Sequence, residues 1–368
     1  MMNVSTRLEI VSAPLGEPLI SDHITNYIMV MLSLMILVFS LPSIVLNSLN
    51  VYIFVNTKLD SVTVCFISLA LSDMSAMLVL SVNMVLSIIA ASGVSWGKNL
   101  PVFIYVLSHI LVLLTDMSSA TTTYIAVQRG LCVAFPFLTR HAFNKNRSLV
   151  TCFSFFLVIL AFSLPRFSTF SLKTIPDPAD NNSQLVVFEY LESWDTFETF
   201  HSIFVKTVMV FVEYGTMIVC TVAITIGMRS STKLKQKSSA HTKSGKYSHG
   251  KKNQKNEKNK EETMGSGKDQ SQKRKDSKEA LVVKQSLVVV LIHVIFTTPR
   301  ICAYLYQVLE PRFELGGQYH NLFFVFFTAV NFADSVNVFA NFFVYVKFNS
   351  KFRNHFLTKI YKRKVIAT

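Results

Sequence analysis

Seven apolar windows constrain what this chain can fold into. They lie at about 26–54, 62–91, 102–133, 149–169, 202–228, 281–308 and 319–346. Each suffices to cross a hydrocarbon layer of roughly 30 Å, which takes about 20 helical residues. Composition agrees, with 51% hydrophobic residues, 16% charged residues, 31 Phe and a mean hydropathy of +0.40. That balance suits lipid better than water for 368 residues. The expected fold class is an all-α membrane protein, a seven-transmembrane helix bundle, because helices satisfy their backbone hydrogen bonds without water.

Lysine and arginine orient the bundle. The first 25 residues carry one basic side chain, Arg7, whereas Arg140, Lys145 and Arg147 follow the third window and the chain ends in "KRKVIAT". Positive charge stays on the cytoplasmic side, so the N-terminus is expected outside at the plasma membrane, with no cleavable leader. Residues 229–279 hold sixteen Lys and Arg against six Asp and Glu, a net +10 of the chain's +14. With almost no apolar residues this segment is expected to be a disordered third inner loop drawn to anionic lipids. A loop tied at both ends to membrane helices is a poor candidate for binding nucleic acid.

The organisation expected is therefore an outer N-terminus at 1–25, five spans in 26–228, the basic loop at 229–279, two spans in 280–346, and an inner tail at 347–368. In that tail Phe348, Phe352, Phe356 and Ile360 recur every four residues among basic ones, the pattern of an amphipathic helix on the inner leaflet. Asn3 in "NVS" and Asn181 in "NNS" head outer glycosylation sequons. Cys65, Cys132, Cys152, Cys220 and Cys302 all fall in or at the ends of spans, so no extracellular disulfide and no metal-ligand spacing can be drawn. Nucleotide loops, nucleophile elbows and zinc motifs do not occur in the sequence, so an enzyme is not expected.

Charged and amide side chains inside spans are costly unless they face the bundle or water. Here they recur in an ordered set of motifs: "NSLNVYIF" in the first window, "SLALSD" in the second, "VQRGLCVAFP" ending the third, "FTTPRI" in the sixth and "NFFVYVKFNSKFR" closing the seventh. In order and spacing this set resembles the rhodopsin-like, class A G-protein-coupled receptors. The likeness is to a divergent member, of the kind met among invertebrate peptide and chemosensory receptors.

The resemblance implies roles residue by residue. Arg129 stands for the family's arginine at the inner end of helix three, and Glu279 for the acid of helix six that pairs with it in the inactive state. Pro299 is the kink proline of helix six, and Tyr345 the tyrosine near the inner end of helix seven. Together they would form an activation switch for a heterotrimeric G-protein; the alternative is that Arg129 only snorkels to the interface. Asn47, Asp73, Ser118, Asn337 and Asn341 match the polar network that often holds sodium, with waters alone as the other reading. No cofactor is expected beyond that candidate sodium ion at Asp73.

An outer ligand pocket is expected from Asp116, Lys206, Arg300, Tyr304, Asn331 and Asp334. Arg300 suits a forked pair of hydrogen bonds to a ligand carboxylate, or equally a structural pair with Asp334 or Asp116. Leu111 replaces the aspartate of amine receptors, which leaves a neuropeptide or a small polar chemosensory cue. Several motifs depart from the family: Gln128 and Gly130 flank Arg129 where an acid and a tyrosine are usual, Phe342 takes the place of a proline, Ile104 that of the outer cysteine, and Thr297 that of the helix-six tryptophan. Two alternatives follow, a receptor fold with lost or weak G-protein coupling and a seven-helix transporter or channel.

Overall fold

The structure, a computed structural model, describes residues 19–57, 59–92, 99–135, 139, 142–168, 170–177, 180–190, 199–244, 258–310, 312–314, 317–349 and 352–358. Seven long helices form the bundle: α1 Asp22–Val55, α2 Ser61–Ala91, α3 Leu100–Ala134, α4 Lys145–Ser168, α5 Val210–Ser244, α6 Lys258–Leu309 and α7 His320–Phe348. A π-helical segment, His201–Met209, leads into α5, and a short helix α8 at 352–358 follows α7. All seven contain a stretch long and apolar enough to cross a membrane.

The bundle is apolar on its outer faces and mixed within, where buried Ser, Thr and Asn stand beside apolar side chains such as Leu69, Met77 and Val290. On α1 the buried positions Ser33, Ile36, Ser40, Ser43, Asn47, Asn50 and Ile53 recur every three or four residues along one face, with Thr25 and Phe54 also buried. Its outward side carries Val38 and Val45, both 67% exposed. Burying small hydroxyl residues lets helices approach closely and bond across the gap in lipid. Ser40 Oγ and Ser81 Oγ, 2.8 Å apart, do so between α1 and α2.

Local signals fix the helix ends. Asp60 accepts a hydrogen bond from the Thr63 amide at 2.9 Å and caps α2, and Asn144 takes the Arg147 amide at 2.8 Å at the head of α4. Pro299 lies inside α6, which continues to Leu309. All five cysteines are free thiols.

Two features extend the sequence reading. Between α4 and α5 an antiparallel hairpin pairs β1, Phe170–Asp177, with β2, Asp180–Tyr190. Its Val186 amide donates to Asn99 Oδ1 at the N-terminus of α3, 2.9 Å away, a tie where the family's disulfide has no cysteine. The basic segment expected to be disordered is largely helical instead, because α5 runs on to Ser244 and α6 begins at Lys258. Residues 245–257 lie outside the described set. Extending an existing helix needs no new nucleus, and Lys, Gln, Glu and Ala all favour the helical state, so an apolar face is not required. The apolar portions nevertheless stop at Ser230 and start at Leu281, close to the expected span limits.

Candidate functional site

The helix phases turn one side of α2, α3, α6 and α7 toward a common polar axis. At mid-depth Asp73 of α2 accepts hydrogen bonds from Ser118 Oγ of α3 at 2.5 Å and from Asn341 Nδ2 of α7 at 3.1 Å. A buried carboxylate needs such donors, since losing water without compensation is costly. Beside it His293 of α6 bridges two helices. Its Nδ1 accepts from Asn337 Nδ2 at 3.2 Å, which leaves the proton on Nε2, facing Ser119 Oγ at 3.4 Å.

Two turns further along α6, Arg300 Nη2 donates to Asp334 Oδ2, while Nη1 stands 3.8 Å from Asp116 Oδ1. Arg300 and Asp334 are 8% and 9% exposed, so this pair is sequestered from solvent. Glu213 of α5 is the next acid, with Ser119, Asp116 and Arg300 as its neighbours. A cavity of about 20 Å³, lined by Asp73, Ser118, His293, Arg300, Asp334 and Asn337 among others, joins the two levels. That volume admits one water or a small cation.

The expected site residues thus separate into groups. Asp73, Ser118 and Asn341 are brought together, and Asn337 reaches them through the cavity wall. Asn47 keeps its bonds on α1, donating to the Ser43 carbonyl at 3.0 Å and accepting from Asn50 Nδ2 at 3.1 Å. Arg300, Asp334 and Asp116 form one cluster; Tyr304 is buried beside them with its ring 6.0 Å from Phe327, and Asn331 is half-buried one turn before Asp334. The side chains of Lys206, Glu279 and Asn181, and all of Asn3, lie outside the described residues.

At the Arg129 end a second network appears that sequence reading missed. Gln128 Nε2 donates to Ser61 Oγ at 2.5 Å, Ser61 Oγ lies 2.5 Å from Ser148 Oγ, and the Tyr124 hydroxyl meets Ser148 Oγ at 3.2 Å. The neutral amide at 128 therefore ties α3 to α2 and α4 where the family's acid would sit beside the arginine. Gly130 packs on α5, since a Cβ there would lie 3.4 Å from Cys220 Sγ. Ser148 carried no distinctive motif; only the hydroxyl-rich faces of α2 and α3 hinted at such ties.

Tyr345 is 1% exposed and packs with Phe54 and Phe66 at 5.3 and 5.2 Å between ring centres. Phe342, in place of the family's proline, packs edge-to-face against Phe352 and Phe356 of α8, with ring centres 6.0 and 5.8 Å apart. Aromatic packing rather than a backbone kink thus organises this end of α7.

Over residues 46–345 the chain matches the 7 transmembrane receptor (rhodopsin family). It belongs to that family and is a multi-pass membrane receptor of the G-protein-coupled type. Among curated proteins no match was found. In general, members of this family act with an extracellular ligand and a G-protein rather than as enzymes. Membership favours the receptor over the transporter or channel reading.

Proposed function

We propose that the protein sits in the plasma membrane with its N-terminus outside, binds a neuropeptide or a small polar chemosensory cue, and activates a heterotrimeric G-protein by outward movement of α6. The observation that carries this reading is the continuous polar axis from Arg300–Asp334 through His293 and Asn337 to Asp73. It runs from the proposed ligand region to mid-depth, beyond which an apolar cluster with Leu69, Ile125 and Tyr345 lies between Asp73 and the end that holds Arg129. A ligand that binds one arrangement of α6 and α7 more tightly shifts the bundle by its differential affinity alone. In this reading Arg129 and Glu279 pair in the resting state and separate on activation.

Because Asp334 already fills part of the Arg300 fork, a ligand carboxylate has to displace it, whereas a cationic or neutral polar group can join the acids around it. Asn331, Tyr304 and Lys206 complete the proposed ligand region. Sodium fits the lower cavity: the Asp73 carboxylate, Ser118 Oγ and the buried Asn337 Oδ1, which makes no hydrogen bond, present the oxygen atoms a hard cation requires. Asn3 and Asn181 are proposed glycan sites, and the basic segment 229–279 a contact for anionic lipids.

Basal cAMP and calcium output tests the reading in cells expressing wild type, Arg129→Ala and Glu279→Ala at equal surface levels. Glu279→Ala is expected to raise output and Arg129→Ala to change or remove it. Silence of all three with every G-protein and with tissue extracts would instead favour a receptor fold that has lost coupling. That second reading is supported by the Gln128 tie, which holds α3 independently of any acid beside Arg129.

A further inference from the structure

Hydroxyl side chains inside the spans mostly bond to the carbonyl one turn back on their own helix. Ser43, Ser81, Thr121 and Thr122 do so, and on α6 Ser286 Oγ reaches the Val282 carbonyl at 3.1 Å. Gln285, its neighbour, finds no such outlet. It is 0% exposed, and neither its Nε2 nor its Oε1 meets a hydrogen-bond partner among the described residues.

Its position accounts for this. Gln285 lies in the first turns of the membrane-spanning part of α6, Leu281–Leu309. Val288 and Val289, three and four residues on and so on the same face, pack with Ile125 of α3 and with Phe342 and Tyr345 of α7. Val290 joins Ala126 of α3 and Met217 of α5 in a second apolar cluster. One turn beyond Met217, the buried Thr221 hydroxyl oxygen of α5 also has no partner among the described residues. A primary amide held against such walls has lost its water without compensation, whereas an apolar residue of like shape carries no such penalty there.

We propose that Gln285 is a built-in opening device: its stranded amide raises the free energy of the closed packing of α6 and recovers hydrogen bonds with water when this end of α6 swings outward. The inference rests on the reading that α6 moves outward, and it assigns one residue that sets how readily it does so. Since the penalty belongs to the closed packing alone, Gln285 acts with or without a ligand and apart from the Arg129–Glu279 pair.

Thermal unfolding and hydrogen exchange of the full-length protein in detergent test this without any signalling readout. Gln285→Met keeps the length of the side chain and removes the amide. It is expected to raise the melting temperature and to slow amide exchange over residues 281–289 about tenfold, with exchange in α1 to α4 unchanged. Gln285→Leu, a second apolar replacement, should act in the same direction. A lower melting temperature in both variants would mean that the amide is satisfied in the closed bundle. Equal slowing in all spans, or none, would mean that it does not act on opening; each of these results overturns the proposal. Failure of the receptor reading is distinguishable: absence of G-protein coupling leaves these expectations in place, whereas a signalling receptor whose Gln285→Met variant melts and exchanges like wild type sinks this inference alone.

Discussion

Arg300, immediately after the proline of α6, forms a buried ion pair with Asp334 of α7 while Asp116 of α3 stands 3.8 Å from the same guanidinium. Three helices are thereby fixed through one cation. Removing it leaves two acids in a low-dielectric site, and breaking such a pair costs about 3–5 kcal/mol. Arg300→Met should sharply lower the thermal stability of the detergent-solubilised protein. Arg300→Met combined with Asp334→Leu should recover part of the loss, because it removes the acid paired directly with Arg300 and leaves only Asp116 of the two.

The α3–α5 contact near the Arg129 end depends on glycine. A Cβ at Gly227 would lie 2.1 Å from Val133 Cγ1, whereas one at Gly130 would meet Cys220 Sγ at 3.4 Å. Gly227→Ala is expected to destabilise by about 1–3 kcal/mol, as overpacking does. Gly130→Ala should be tolerated, and comparison of the two melting temperatures separates these outcomes.

Ser148 is fully buried and its hydroxyl meets both Ser61 and Tyr124. Ser148→Ala leaves those two groups short of a partner, at about 1–3 kcal/mol. Faster hydrogen exchange at the start of α4 is the expected sign, and unchanged exchange would mean that the tie is slack.

Much of the architecture was readable because lipid imposes a simple demand: each span needs its own apolar run, and seven such runs are plain. That Asp73 needs donors was readable, because a mid-membrane carboxylate requires them; that Ser118 and Asn341 stand near it was implied only by the family resemblance. The Gln128–Ser61–Ser148 tie was not, since serines are common in spans and only the rotation of three helices decides which of them meet. The partners of His293 were hidden for the same reason. Helical extension of α5 and α6 into the charged segment was hidden because low hydrophobicity argues against a packed core, yet a helix already nucleated in the bundle needs none.

Docking of α8 rests on Phe352, fully buried against Phe54, Phe342 and Tyr345. Truncating a buried Phe costs about 3–5 kcal/mol. Phe352→Ala should release α8, seen as loss of amide protection over 353–358 with the seven spans left intact.

The central claim is that α6 moves outward when a G-protein engages. Spin labels at Leu149→Cys on α4 and Lys284→Cys on α6, both exposed positions, in a background without the other reactive thiols, report that movement by electron-electron double resonance. Binding the nucleotide-free G-protein that gives a cellular response should shift the distance distribution to longer values, and Arg129→Ala should reduce the shift. An identical distribution with and without bound G-protein would contradict the account.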